Sequence, residues 1–191
     1  MTSRIAIIVL MLIITIGLLT AEEATKPEFS LSDQPRLEKR AGFTVAGCEV
    51  RNTMDPQKME QTWLDFFKYL PEITSAIGDV YYGVNYVDKD FDPKLDKGYG
   101  YIACTEIKPG EKLPEGVILH KVPEAEYLVF EHTGSVQYLQ ESFGLIFSKL
   151  IPESKYKMIY SDMLEVYGEK SQPDSAESVI EIWIPVMPKE E

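Results

Sequence analysis

The feature that most narrows the possible folds is an order of elements that the chain states twice. Phe43–Arg51 has the β-formers of a short strand and is closed by the turn-like run from Asn52 to Pro56. Asp55-Pro56 then starts a helix. The aspartate can accept bonds from the free first-turn N–H groups, and proline at the first helical position gives up a donor that has no partner there. Met59, Trp63, Phe66, Phe67 and Leu70 share one face at helical spacing until Pro71 ends it. Two tyrosine-rich runs, Asp79–Val87 and Tyr99–Ile107, follow and should pair as a hairpin.

The order then returns. Glu126–Glu131 reads as a strand and Thr133-Gly134-Ser135 as a turn with Ser135 as the helix cap. Val136, Leu139, Phe143, Ile146, Phe147 and Leu150 make the apolar face of a second helix, and Met163–Tyr167 and Val179–Val186 read as the last two strands. Leu70-Pro71-Glu72 and Leu150-Ile151-Pro152-Glu153 close the two helices at matching places. This is an internal duplication of a strand-helix-strand-strand unit. Two such units joined edge to edge predict an α+β fold: an antiparallel sheet with two main helices on one face and a ligand groove on the other, at the seam between the halves.

Strand alternation sorts the last strand, SVIEIWIPVM. Ile180, Ile182 and Ile184 point one way, under a helix, while Glu181 and Trp183 share the groove face. The same parity places Ile102 and Cys104 under the helices and Tyr101 and Ala103 in the groove. Tyr127 and Tyr82 are groove candidates, with Tyr86 and Tyr167 as further aromatics. Aromatic faces attract a cation and a desolvated carboxylate balances it, so the predicted site is a cation cage of Glu181, Trp183, Tyr101, Tyr127 and Tyr82.

Outside the duplicated part, Met1–Arg4 is short and basic and Ile5–Ala21 is almost wholly apolar. Residues 1–21 read as a signal peptide, removed on export, or as an N-terminal membrane anchor, and both remain open. The expected location is therefore extracytoplasmic or membrane-tethered, with membrane contact only through this segment. Residues 22–35 read as a polar tether, 36–188 as the folded domain and 189–191 as a tail.

Loss of residues 1–21 removes Arg4 alone among the charges, leaving 18 basic side chains against 31 acidic ones. Such a surface repels phosphate backbones, which argues against nucleic acid as a partner. Cys48 and Cys104 read as buried small hydrophobes, with a disulfide possible in an exported chain. His120, in the Pro- and Gly-rich connector 108–125, and His132 read as surface residues. Asp88, Asp90, Asp92 and Asp96 fail the calcium-loop pattern, because Pro93 and Tyr99 stand where its glycine and glutamate belong. No metal cluster or cofactor is expected.

In order and spacing, FTVAGCEVR (43–51), YYGVNY (81–86), YGYIACTEI (99–107), VPEAEYLVFEHTGS (122–135), LIPESKY (150–156), MLEVYG (163–168) and EIWIPV (181–186) resemble the GyrI-like small-molecule-binding fold. This fold is also found as the effector-binding domain of AraC-type and multidrug-responsive regulators. The resemblance spans roughly residues 36–188 and implies the same duplicated unit. It also implies an acidic residue in the last strand, here Glu181, that contacts cationic aromatic ligands. No helix-turn-helix segment accompanies it. The leading reading is a non-catalytic binder of small amphipathic or cationic aromatic molecules. The alternatives are a hydrolase of electrophilic ring compounds, with Glu181 as general base and a groove tyrosine as helper, and a membrane-tethered interaction adaptor.

Overall fold

The computed structural model describes residues 29–190, apart from residues 54, 93, 96, 111, 173 and 174. The predicted signal or anchor lies outside the described residues. The strands are β1 (Phe29–Leu31), β2 (Arg36–Arg40), β3 (Phe43–Arg51), β4 (Ala76–Asp92), β5 (Lys97–Ile107), β6 (Ile118–Val122), β7 (Ala125–Gly134), β8 (Tyr156–Met158), β9 (Met163–Tyr167) and β10 (Val179–Pro188). Helix α1 is Pro56–Tyr69, and α2 is Leu139–Leu145, which runs on through a π-helical segment, Ile146–Leu150, into the single turn α3, Ile151–Glu153.

The duplication is visible in the sheet order β1-β7-β10-β9-β4-β5-β3-β6. The first half supplies β3, β5 and β4, the second β9, β10 and β7, and the halves meet where β4 pairs antiparallel with β9. Asp55 caps α1 as its sequence requires, its Oδ1 accepting from the Gln57 N–H at 3.0 Å. Ser135 likewise accepts from the Gln137 N–H before the second helix. Phe66 anchors α1 on Ala46, Cys48, Ala103 and Ile107. In the second half Leu139, Ile146 and Ile151 pack on Leu128, Phe130, Ile180, Ile182 and Ile184, so the isoleucines of β10 lie under the helix as alternation predicts.

Three features depart from the sequence reading. Residues 29–31, expected in the tether, form β1 on the edge of β7, where Phe29 stacks between His132 and Tyr138 with ring centroids 5.7 Å from each. The connector contains β6, which pairs with β3. Finally, the parity of β5 is reversed: Ala103 packs with α1, while Ile102 and Cys104 lie on the opposite face. Residues 98–105 are buried throughout, so no polar alternation was present to tell the faces apart.

The strands β2 and β6 explain why both faces are buried. β2 pairs with β7 and β6 with β3, yet β2 runs into β3 and β6 into β7 through two-residue links. The ends of the sheet are thereby drawn together, close enough that a Cβ on Gly42 would lie 3.1 Å from the Val122 carbonyl oxygen. The face away from the helices becomes the interior of a curl, filled by Tyr82, Val84, Ile102, Tyr127, Val129, Leu164 and Trp183. Cys48 and Cys104 are free, buried, and on opposite faces.

Candidate functional site

Glu181 and Glu165 both interrupt apolar strands, and the structure treats them differently. Glu181 on β10 accepts from the Trp183 indole N–H at 2.9 Å and forms an ion pair with Arg36 of β2 at 2.8 Å. Tyr127 packs edge-on to Trp183 at 5.5 Å. Arg40, also on β2, lies over the Phe43 ring at 3.9 Å and near those of Tyr82 and Trp183 at 5.2 and 5.6 Å. It donates to the Tyr82 hydroxyl and to Glu106, each at 3.0 Å. Glu181, Trp183, Tyr127 and Tyr82 thus lie together on one face, where the protein's own arginines already pair with Glu181 and lie over the Tyr82 and Trp183 rings.

Tyr101 is not part of that group. It lies on the helix face, where its hydroxyl donates to Glu165 Oε2 at 2.9 Å. The Tyr167 hydroxyl donates to the same oxygen at 3.0 Å, and Asn85 Nδ2 donates to Oε1 at 3.0 Å. Tyr99 in turn donates to Asn85 Oδ1, and the Trp63 indole N–H donates to the Tyr101 hydroxyl at 2.8 Å. Glu165 is only 6% exposed, and none of the ion pairs among the described residues includes it. Burial pushes its carboxyl above the ordinary value, opposed by the bonds from Asn85, Tyr101 and Tyr167. The hydroxyls of Tyr101 and Tyr167 are pushed up by the same burial and by the nearby carboxylate.

Local sequence makes this network possible. Glu165 of β9 stands opposite Gly83 of β4 at the seam between the halves. A Cβ on Gly83 would lie 2.5 Å from the Tyr101 hydroxyl and closer still to Glu165 Oε2. One half supplies the carboxylate and the other supplies the space. Asn85 and Tyr167, each two residues further along its own strand, take one oxygen apiece. The surroundings are aromatic: Trp63 lies edge-on to Tyr167 at 4.9 Å and 5.7 Å from Phe67, which meets Tyr81 at 5.5 Å. From α2, Phe143 packs on the same apolar cluster as Trp63 and stacks with Phe147 at 5.9 Å. Leu64, Phe67 and Phe147 are exposed at the surface of the helix layer. The arrangement is a carboxylate without an ion-pair partner among the described residues, under aromatic cover.

Sequence reasoning missed Glu165, Asn85, Gly83 and Trp63 as site residues. A signal existed: Glu165 stands between Leu164 and Val166 as oddly as Glu181 stands between two isoleucines. The histidines also differ from expectation. His132 is fully buried, with Nδ1 2.8 Å from Ser142 Oγ and Nε2 3.2 Å from the Ser135 carbonyl oxygen, because β1 and α2 cover it. His120 pairs with Asp162 at 2.7 Å, across from β6 to the residue before β9. No cluster of His, Cys, Asp and Glu fit to hold a metal occurs among the described residues.

The family described as Cass2, integron-associated effector binding protein, matches residues 36–186. The transcriptional regulator BrlR of Pseudomonas aeruginosa is 27% identical over 153 residues, 79% of this chain and 54% of its own length, so the chain spans about half of that relative. An integron cassette protein from the mobile metagenome of Vibrio cholerae superposes with a TM-score of 0.60 at 23% identity, covering 83% of this chain and 99% of that one. SAV2435, solved bound to tetraphenylphosphonium, superposes with a TM-score of 0.65 at 16% identity, covering 81% and 94%. At these identities the two structures show the shared fold alone.

Proposed function

The chain belongs to the Cass2 family of integron-associated effector-binding proteins, and on that premise we propose that it binds a lipophilic organic cation between α1 and α2, with Glu165 as the counter-charge. The observation that carries this reading is a carboxylate buried at the seam of the two halves with hydrogen bonds but no cationic partner among the described residues. Burying an unpaired charge is costly, and a bound cation among aromatic rings offsets that cost. Glu181 is the poorer candidate because Arg36 already balances it. The tetraphenylphosphonium carried by SAV2435 is a cation of the right kind to try.

The test is calorimetric titration of the protein with tetraphenylphosphonium, repeated with Glu165→Gln and Glu181→Gln. Loss of at least about tenfold in affinity in the first variant, equivalent to about 1.4 kcal/mol, with little change in the second, supports the reading. Equal binding by parent and Glu165→Gln would remove Glu165 from it.

A second reading has one specific observation behind it. A carboxyl raised by burial and bonded to two tyrosine hydroxyls is suited to take a proton from water, so hydrolysis of an electrophilic ring compound is the catalytic alternative. Consumption of such a compound by the parent and not by Glu165→Gln would favour it. We place the domain outside the cytoplasm or at a membrane through residues 1–21; peptide mapping of the mature N-terminus tests that placement.

A further inference from the structure

Glu165, Asn85, Tyr101 and Tyr167 are all buried, so a ligand reaches the carboxylate only through the layer above it. In that layer Trp63, itself half-buried, is in contact with the network. Its indole N–H donates to the Tyr101 hydroxyl at 2.8 Å, and its ring meets Tyr167 at 4.9 Å. These two tyrosines are the ones that donate to Glu165 Oε2.

We propose that Trp63 is the specificity-determining residue of the site: it occupies the place of an aromatic cation and yields only to a ligand that replaces both its ring contacts and its positive edge. The inference rests on the reading of Glu165 as counter-charge. The indole N–H is the electropositive edge of an aromatic ring, a neutral substitute for a cation aimed along the hydrogen-bond chain toward the carboxylate. Its departure leaves no buried group without a partner, since Tyr101 keeps its bond to Glu165 and the indole N–H turns to water. A large aromatic cation restores the ring contacts and adds charge. A small cation restores neither the contacts nor the exclusion of water, so it cannot displace Trp63. While Trp63 is in place the open fraction limits apparent affinity and association rate.

This makes opposite predictions from an ordinary pocket wall, whose removal weakens binding. The protein, Trp63→Ala and Trp63→Phe are titrated with tetraphenylphosphonium and with tetramethylammonium, with affinities from calorimetry and association rates from NMR line shapes. The expected result for Trp63→Ala is association of tetraphenylphosphonium at least about tenfold faster, together with binding of tetramethylammonium that the parent excludes. Trp63→Phe, which keeps a ring but loses the N–H bond, should fall between the two and carries the test if the alanine variant does not fold. Weaker tetraphenylphosphonium binding at an unchanged association rate, with tetramethylammonium still excluded, would overturn the proposal. Failure of the parent and both variants to bind either cation would instead overturn the reading of Glu165, and this inference with it.

Discussion

Substitution of Gly83 by alanine isolates the central geometric claim, that one half of the duplication supplies a carboxylate and the other the space for it. The added methyl would come within 3.0 Å of both Glu165 Oε2 and the Tyr101 hydroxyl, and these two atoms are joined by a 2.9 Å hydrogen bond. The cheapest relief is to part them, and a hydrogen bond to a charged group is worth about 1.5–3 kcal/mol. Against that stands the ordinary gain from replacing glycine by alanine within an element, roughly 0.5–1 kcal/mol. Gly83→Ala should therefore lower stability by about 1–2 kcal/mol, measured by urea unfolding at pH 8. In a Glu165→Ala background the carboxylate is gone and Tyr101 can move aside, so the same change should be neutral or stabilising. The double-mutant cycle then gives a coupling of roughly 2 kcal/mol. Equal costs in the two backgrounds, within about 0.5 kcal/mol, would show that Gly83 makes no room for the Glu165 carboxylate.

Three further outcomes follow from the same contacts. The carboxyl of Glu165 is raised above its ordinary value of 4.5, so its contribution to stability is fully present below that value and is lost as pH rises through the folded-state value; urea midpoints of parent minus Glu165→Gln should fall with rising pH, while affinity for a lipophilic cation should rise over the same window. Burial lowers His132 from 6.5, so its contribution is present above that value and is lost as pH falls below it; His132→Asn should flatten the acid limb of the stability profile, and an unchanged limb would contradict the buried imidazole. Arg40→Met strands Glu106 and the Tyr82 hydroxyl and should cost about 1–2 kcal/mol in urea unfolding. Calorimetry should nevertheless find cation affinity unchanged, since Arg40 lies on the face away from Glu165.

The sequence was most legible where the chain has only one way to satisfy its groups. Asp55-Pro56 fixed the start of α1, helical periodicity fixed its buried face at Phe66, and the three isoleucines of β10 fixed which side of that strand meets α2. The seam between halves was legible because two repeated units with open strand edges must join. What stayed hidden depends on closure of the sheet. β2 and β6 each leave one half to pair with the other, a long-range exchange with no local signature, and the resulting curl buries the second face. With both faces buried, Tyr101 gave no sign that it serves the helix side. Glu181 attracted notice as a carboxylate among isoleucines, yet its partner Arg36 looked like the start of the domain. Glu165 had the same oddity and no such partner among the described residues.

A crystal structure of the complex with tetraphenylphosphonium tests most directly whether Glu165 is the counter-charge. The cation is expected between α1 and α2, over Glu165, with Trp63 swung away from Tyr101 and the contacts of Arg40 intact. A cation lodged instead against Trp183 and Glu181, with Arg36 and Arg40 displaced and Trp63 still bonded to Tyr101, would contradict that role.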